Sequence, residues 1–190
     1  WLILYGLPAM QVIFARYCGA FIVLILLFIP RGGLNQFVSN NPKLQFSRAI
    51  ALLGGTTFNF LALQFLPITT TIAIFFAMPL MITVLGYFIL GEKVGLRRFA
   101  AVFAGFMGVL IIIQPWGEEF QWAMIFSVAA LICASGYFIL TRLLAGQDNN
   151  STSQLWSSGV ATFAIAPFAF QNWHWPQTNM GFCVLVIIGV

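Results

Sequence analysis

The chain has 190 residues, of which 61% are hydrophobic and only 6% are charged, and its formal net charge is +4. A soluble domain has about 25% charged residues, so this composition excludes an ordinary soluble fold, whose surface the chain could not supply. Residues 49–91 and 149–190 contain no Asp, Glu, Lys or Arg at all, which predicts an all-α polytopic membrane protein.

In chain order, the apolar stretches predict a series of membrane crossings separated by short polar turns. Residues 1–7 predict the end of a first helix, and a polar loop over residues 30–46 separates two later crossings. Pro67 divides the long charge-free stretch, because proline ends helices and restrains the residue before it. Since a crossing helix needs about 20 mostly apolar residues, the predicted crossings are residues 9–29, 49–66, 68–90, 99–114, 120–141 and 154–170, and another begins at Met180.

The charges of the loops predict one orientation in the membrane. If residues 30–46 are cytoplasmic, alternation places residues 92–98 and 142–153 on the same side. That side holds seven of the eight basic residues, whereas Glu118 and Glu119 lie on the opposite side. Positively charged loops stay in the cytoplasm. The sequence therefore predicts a multi-pass protein of the plasma membrane, the inner membrane in a bacterium, with these three loops cytoplasmic.

A set of short motifs recurs in a recognisable order along the chain. They are Phe14-Ala15-Arg16 near the start of a crossing, Leu66-Pro67 heading a helix with Pro79 in its middle, Leu90-Gly91-Glu92-Lys93 at that helix's inner end, Arg98, and Gly105-Phe106-Met107-Gly108-Val109-Leu110. In these motifs the chain resembles the drug/metabolite transporter (DMT) superfamily, in its EamA-type branch. The stretch from Trp122 to Arg142 resembles the opening helix of that family's second half.

The resemblance implies ten helices in two five-helix halves, which form an inverted repeat because each half has an odd number of helices. Residues 1–115 would be the first EamA-type repeat, with helix 1 truncated, and residues 116–190 the incomplete start of the second. The chain would then be a fragment, from the end of helix 1 to the start of helix 8. Inverted repeats support alternating access around a site near the bilayer midplane. The family moves small metabolites such as amino acids, their derivatives, nucleosides and vitamins.

Arg16 is the one charged residue well inside a predicted crossing. Burying its charge is costly unless the guanidinium is paired or reaches water, so Arg16 is a candidate for binding an anionic or carboxylate-bearing solute. An interpretation without solute binding is favoured, however, in which the long side chain snorkels to the outer headgroups or bonds to helix carbonyls.

Two predicted crossings each carry polar residues on one side. Polar groups are costly in lipid, so these sides should face protein or a water-filled cavity. Hydrogen bonding between helices is an equally open interpretation. Within arcs of about 160° lie Thr56, Thr57, Asn59 and Gln64 in the crossing at 49–66, and Ser127, Ser135, Tyr137 and Thr141 in the crossing at 120–141.

Pro79 lies near the middle of the crossing at 68–90 and follows Met78. Proline frees a carbonyl one turn earlier and can bend the helix. In a transporter such a carbonyl can bind solute or the bend can serve as a hinge, whereas packing is the alternative. The predicted substrate-binding residues are therefore Arg16, Thr56, Asn59, Met78, Pro79, Ser135 and Tyr137.

Other functional classes find less support in the residues. The four acidic residues lie at helix boundaries or in loops without paired spacing, which argues against an intramembrane enzyme. A non-transporting or lipid-handling membrane scaffold would pack in a similar way and stays an alternative. Cys18, Cys133 and Cys183 lie far apart, so no metal site is predicted, because metal sites need clustered ligands. No cofactor and no catalytic residue is predicted either. The expected partners are a small-molecule solute and membrane lipids, not nucleic acid, and a homodimer is left open.

Overall fold

The computed structural model describes residues 8–92, 95–113, 121–171 and 173, and every regular element among them is helical. The predicted all-α fold class is thereby confirmed. The crossing predicted to begin at Met180 lies outside the described residues. The elements are α1 (Ala9–Gly32), a short 3-10 helix (Leu34–Phe37), α2 (Pro42–Phe65), α3 (Ile68–Phe75), α4 (Met78–Leu90), α5 (Leu96–Ile113), α6 (Met124–Leu144) and α7 (Asn150–Gln171).

Four segments of the described residues are long and apolar enough to cross a membrane. They confirm an integral membrane protein, because a helix needs about 20 predominantly apolar residues to span the hydrocarbon core. In α5 the apolar part is shorter, Phe99–Gly108. The four spans are Ala9–Pro30, Pro42–Phe65, Ile68–Leu90 and Met124–Leu144.

The predicted loop over residues 30–46 is present but shorter than expected at both ends. At its start α1 continues to Gly32, and at its end α2 begins at Pro42. The Asn41 carbonyl accepts the first helical hydrogen bond, from the Gln45 amide at 3.1 Å, and a proline in the first helical position needs no N–H partner. The Asn-Pro pair is a helix-start signal that hydropathy alone does not detect.

The predicted loop over residues 142–153 is also shorter than expected. Helix α6 extends to Leu144 and α7 begins at Asn150. The Asn149 carbonyl accepts a hydrogen bond from the Ser153 amide at 3.0 Å, so this polar segment is the first turn of α7. Polar residues are acceptable there because a first turn has unsatisfied backbone donors to occupy.

The crossing at 68–90 is divided into two helices. Helix α3 ends at Phe75, and α4 begins at Met78 with Pro79 in its first turn. Proline is tolerated in a first turn because its missing N–H would have no helical partner there. The helix is thus interrupted at Phe76 and Ala77, just before Pro79. The far end of α4 is closed by Gly91, whose φ of 66° is left-handed.

One compact unit consists of residues 1–53 and 144–190. In its described part, α1 and α7 pack along each other. The Phe21 ring lies 3.0 Å from where a Cβ atom on Gly159 would be, so the small residue allows close approach of the two helices. Phe14 packs edge-on against Phe170, with 5.3 Å between ring centroids.

The other compact unit consists of residues 54–143. A buried apolar cluster joins α2, α3 and the start of α6 through residues that include Ala62, Ile74 and Leu131. Helix α5 packs against α3 and α4. The two units are defined by contacts and each includes residues from both sides of position 115, so the boundary between the sequence repeats stays a prediction.

Candidate functional site

The structure places six of the seven predicted substrate-binding residues in the unit of residues 54–143. Arg16 belongs to the other unit, where it lies exposed on α1. Its exposure fits the snorkelling interpretation as well as it fits a solute contact, because either requires the guanidinium to leave the packed interior. The role of Arg16 stays a prediction.

Helices α2 and α6 approach closely at a glycine pair. A Cβ atom on Gly55 would lie 3.4 Å from the Ala134 backbone nitrogen and 3.5 Å from the Ala130 carbonyl oxygen. A Cβ atom on Gly54 would likewise lie 3.3 Å from the Sγ atom of Cys133. Small residues that let helix backbones meet are typical of packing in membranes. The glycine pair therefore positions the side chains that follow on the same face of α2.

Asn59 follows Gly55 by one turn, so its side chain shares the α2 face that meets α6. Its Oδ1 atom is buried and has no hydrogen-bond partner among the described residues. Ser135 follows Ala134 on α6 and is 0% exposed. Its Oγ atom is also buried and has no hydrogen-bond partner among the described residues. Of the two predicted site residues, Asn59 thus lies on the α2 face that meets α6, and Ser135 is buried on α6 one residue after a position of close contact.

Two further buried hydroxyls extend this group. Ser127 lies two turns before Ser135 on α6, and Thr71 lies on α3; both Oγ atoms are buried without a partner among the described residues. Ser127 belongs to the polar side predicted for α6. Thr71 was missed, because the threonine run of residues 69–71 is too short to show a sided pattern. We call Asn59, Thr71, Ser127 and Ser135 the unpartnered set.

The unpartnered set is chemically unusual for the interior of a membrane protein. Leaving a buried donor or acceptor without a hydrogen bond costs about 1–3 kcal/mol for each group. Lipid chains cannot supply the missing bond. Water or a polar solute can, so each of the four residues is a candidate for contact with water or a polar solute.

The other predicted site residues have different surroundings. Thr56 and Tyr137 are partly buried, and each takes part in an interaction within the protein. Met78 packs against the apolar cluster of α2, α3 and α6. Pro79 is exposed, and its carbonyl accepts a hydrogen bond from the Thr83 hydroxyl at 2.9 Å. Their roles in binding stay predictions.

Glu92 follows the left-handed Gly91 at the end of α4. In the structure its carboxylate lies 3.5 Å from the Arg142 guanidinium at the end of α6, with both side chains about half exposed. An exposed ion pair of this kind contributes little to stability, so its main effect is to connect the ends of two helices.

A second polar group joins α2 to α7 in the unit of residues 1–53 and 144–190. Arg48 is 3% exposed, and its Nη1 atom donates to the Ser153 carbonyl and to the Ser157 hydroxyl, both at 2.9 Å. Gln45, one turn earlier, donates from Nε2 to Asp148 and to the Ser153 hydroxyl, again both at 2.9 Å. We call these five residues the α2–α7 polar cluster.

The carboxylate of Asp148 organises the loop side of this cluster. Its oxygens accept hydrogen bonds from the Ser39 hydroxyl at 2.5 Å and from the Asn40 backbone amide at 2.8 Å. Burial acts to raise the pKa of Asp148, but the bonds from Ser39, Asn40 and Gln45 act in the opposite direction and leave the pKa below its ordinary value. The carboxylate is therefore ionised at neutral pH.

Sequence reasoning missed this cluster for a definite reason. Arg48 was counted with the basic loop residues, and Asp148 with the acids outside the crossings. The position of a residue outside the predicted crossings does not indicate which side chains it forms hydrogen bonds with. The available signal was the density of Asn, Gln and Ser in residues 35–47 and 147–158, since such side chains pair readily with one another.

Two surface grooves flank the same unit. One, of about 550 Å³, is apolar, and its lining includes Phe21, Phe46, Ile50, Trp156 and Phe163. The other, of about 420 Å³, is polar, and its lining includes Gln36, Asn40, Gln147, Asp148 and Thr152. Within the described residues no group of three or more His, Cys, Asp or Glu side chains could hold a metal ion.

Comparison with known proteins assigns the family. Residues 2–114 match the model of the EamA-like transporter family, which is more than half of the chain. The chain belongs to the EamA-like transporter family. The DMT resemblance inferred from the motifs is confirmed. No solved structure matches the chain significantly.

Curated relatives of this EamA-family chain are named as transporters. It is 29% identical to a riboflavin transporter of Vibrio cholerae over 98% of the chain and 63% of the relative. It is 28% identical to an S-adenosylmethionine uptake transporter of Rickettsia bellii over 96% of the chain and 62% of the relative. A riboflavin transporter of Rhizobium johnstonii is 30% identical over 78% of the chain and 49% of that relative. The chain thus spans less than two thirds of the length of each.

Proposed function

We propose that this protein is a secondary transporter that moves a small metabolite across the membrane by alternating access. Family membership supports the transport class. The observation that carries the proposal is the unpartnered set, which places four buried polar atoms on three helices of one unit. Buried polar atoms that lack hydrogen-bond partners in the protein are suited to a solute that supplies the partners and then leaves.

The names of the relatives support a substrate class. Riboflavin and S-adenosylmethionine both join a flat heteroaromatic ring to a chain rich in hydroxyl or other polar groups. We propose a heteroaromatic metabolite of this kind as the substrate. The hydroxyls of Ser127, Ser135 and Thr71 can donate hydrogen bonds to such a solute or accept them from it, and the Oδ1 atom of Asn59 can accept one.

The remaining parts of the proposal follow from the sequence and the family. Residues 1–115 and 116–190 are taken as successive repeats, and the loops at 30–46, 92–98 and 142–153 as cytoplasmic on a plasma membrane. The crowding of basic residues on that side supports this orientation. The partners are the solute and membrane lipids, and the protein works without chemical conversion of the solute, as the names of the relatives suggest.

Uptake by cells that produce the protein tests the proposal. Radiolabelled riboflavin and S-adenosylmethionine are supplied separately, and initial rates are compared with cells that carry the empty vector. The proposal expects saturable uptake or efflux of one heteroaromatic solute, with competition by unlabelled compound. Absence of flux in both directions, with the protein present in the membrane and no solute from a heteroaromatic library raising its melting temperature, would favour the scaffold alternative.

A matched pair of serine variants tests the site itself. Ser135→Ala removes an unpartnered hydroxyl, whereas Ser158→Ala removes a buried hydroxyl that already donates to the Gln154 carbonyl of its own helix at 2.7 Å. A lost hydrogen bond to a neutral solute is worth about 0.5–1.5 kcal/mol. We therefore expect a roughly 2- to 12-fold rise in KM for Ser135→Ala and none for Ser158→Ala. Equal KM values for both variants would remove Ser135 from the site.

A further inference from the structure

The α2–α7 polar cluster has a feature that packing alone does not require. Besides the local bond from the Ser157 hydroxyl to the Ser153 carbonyl, four of its hydrogen bonds join segments that are more than 100 residues apart in the sequence. Gln45 and Arg48 lie in the first two turns of α2, and Ser153 and Ser157 in the first two turns of α7. The cluster therefore fastens two helix beginnings at one side of the protein.

From this arrangement we infer that the α2–α7 polar cluster is a releasable clasp between the two repeats. The inference rests on the proposed function, in which α2 belongs to the first repeat and α7 to the second. In alternating access the repeats move against each other, so contacts that join them on one side form in one state and break in the other. The clasp holds the loop side closed until it opens in each cycle.

The chemistry of the clasp suits a contact that is made and broken. Arg48 donates to Ser153 and Ser157 in the first turns of α7, where the helix dipole is positive and disfavours a cation. Asp148 lies just before the same helix, where that dipole favours an anion. Its carboxylate connects to Ser153 through Gln45. The directional bonds hold the guanidinium against the dipole, and they are lost together when the helices separate.

The surroundings of the clasp fit the same role. Deeper in the unit, α1 and α7 are joined by apolar contact, such as Phe21 on Gly159, which is non-directional and tolerates small rotations. The loops that precede α2 and α7 contain Gly33 and Gly146, with φ values of 65° and 81°. Glycine adopts such backbone without strain, so these loops can absorb changes of direction. The hydrogen-bonded end is the part that must release.

Distance measurements between spin labels in lipid nanodiscs test the clasp directly. Labels are placed at Lys43→Cys on α2 and Gln154→Cys on α7, both exposed positions, in a protein whose native cysteines are replaced. Arg48→Gln is expected to raise the ratio of the longer to the shorter distance by roughly tenfold or more, because it removes two bonds from a charged donor. Ser157→Ala removes one of them and should give a smaller rise.

Two control variants match these changes in chemistry. Arg142→Gln removes an exposed charge that pairs with Glu92 outside the clasp, and Ser158→Ala removes a hydroxyl bonded within α7. Neither should change the distance ratio. The clasp is refuted if Arg48→Gln and Ser157→Ala leave the distances of the folded protein unchanged, or if Arg142→Gln changes them as much. Should Arg48→Gln fail to fold, Ser157→Ala decides by the same criterion.

The same variants separate the clasp from the proposed function. The spin-label distances are measured without solute, so they do not depend on which solute is carried. Altered distances in a protein that moves no solute would leave the clasp standing and refute transport. Unchanged distances in Arg48→Gln together with saturable uptake would refute the clasp and leave transport standing.

Discussion

The contact between α4 and α5 depends on a single missing side chain. A Cβ atom on Gly105 would overlap Leu80 Cδ1 and lie 2.9 Å from its Cδ2. Carbon atoms in good contact are about 3.5–4.0 Å apart, so Gly105→Ala forces Leu80 to move. Leu80 packs against the apolar cluster of α2, α3 and α6, and its displacement therefore disturbs that cluster too.

The cost of Gly105→Ala follows from a comparison on the same helix. Overpacking costs about 1–3 kcal/mol, and the better helix propensity of alanine returns up to about 1 kcal/mol. Gly108→Ala has the same gain without the clash, because nothing lies within 4 Å of its new Cβ atom. Propensity cancels between the two variants, so we expect Gly105→Ala to be less stable than Gly108→Ala by about 1–3 kcal/mol.

Thermal unfolding in detergent measures this difference. A free-energy change of 1 kcal/mol shifts the melting temperature by roughly 2–4 °C in a chain of this size, so the two variants should be separable. Leu80→Ala in the Gly105→Ala background should restore part of the loss, since it removes the clashing atoms. Equal melting temperatures for Gly105→Ala and Gly108→Ala, or no effect of the second substitution, would show that α4 and α5 do not pack as described.

Two further predictions concern a helix end and a titrating group. Gly91→Ala should lower stability by about 1–2 kcal/mol, because its φ of 66° is left-handed; a melting temperature equal to that of Gly95→Ala, an exposed neighbour without positive φ, would contradict this. The lowered pKa of Asp148 stabilises the fold above the unfolded carboxyl pKa of about 3.9, and this contribution is lost as pH falls through the folded pKa. The Asp148→Asn variant should therefore have a lower melting temperature than the unchanged protein at neutral pH, and its melting temperature should fall less steeply as the pH is lowered.

The sequence predicts the helices well where apolar stretches are long. The ends of the crossings predicted at 9–29 and 68–90 fall within three residues of helix ends in the structure, because burial in lipid leaves a strong compositional signal. The sequence predicts the polar ends of the helices poorly. Helix α2 begins at Pro42 and α7 at Asn150, where the first backbone hydrogen bonds, accepted by the Asn41 and Asn149 carbonyls, and not hydropathy mark the start of the helix.

The candidate site was predictable only in part for a related reason. Asn59 and Ser135 were found because polar residues stand out in apolar helices. Thr71 and the α2–α7 polar cluster were not found, since their importance lies in which side chain meets which across long sequence separations. A buried Arg48 and an exposed Arg142 look the same in a sequence, and only the packing of α7 against α2 distinguishes them.

Helix α2 carries residues of both polar groups described above. Arg48, near its start, belongs to the α2–α7 polar cluster, and Asn59, further along, belongs to the unpartnered set. A substitution that disrupts the helical structure of α2 would therefore affect both groups at once.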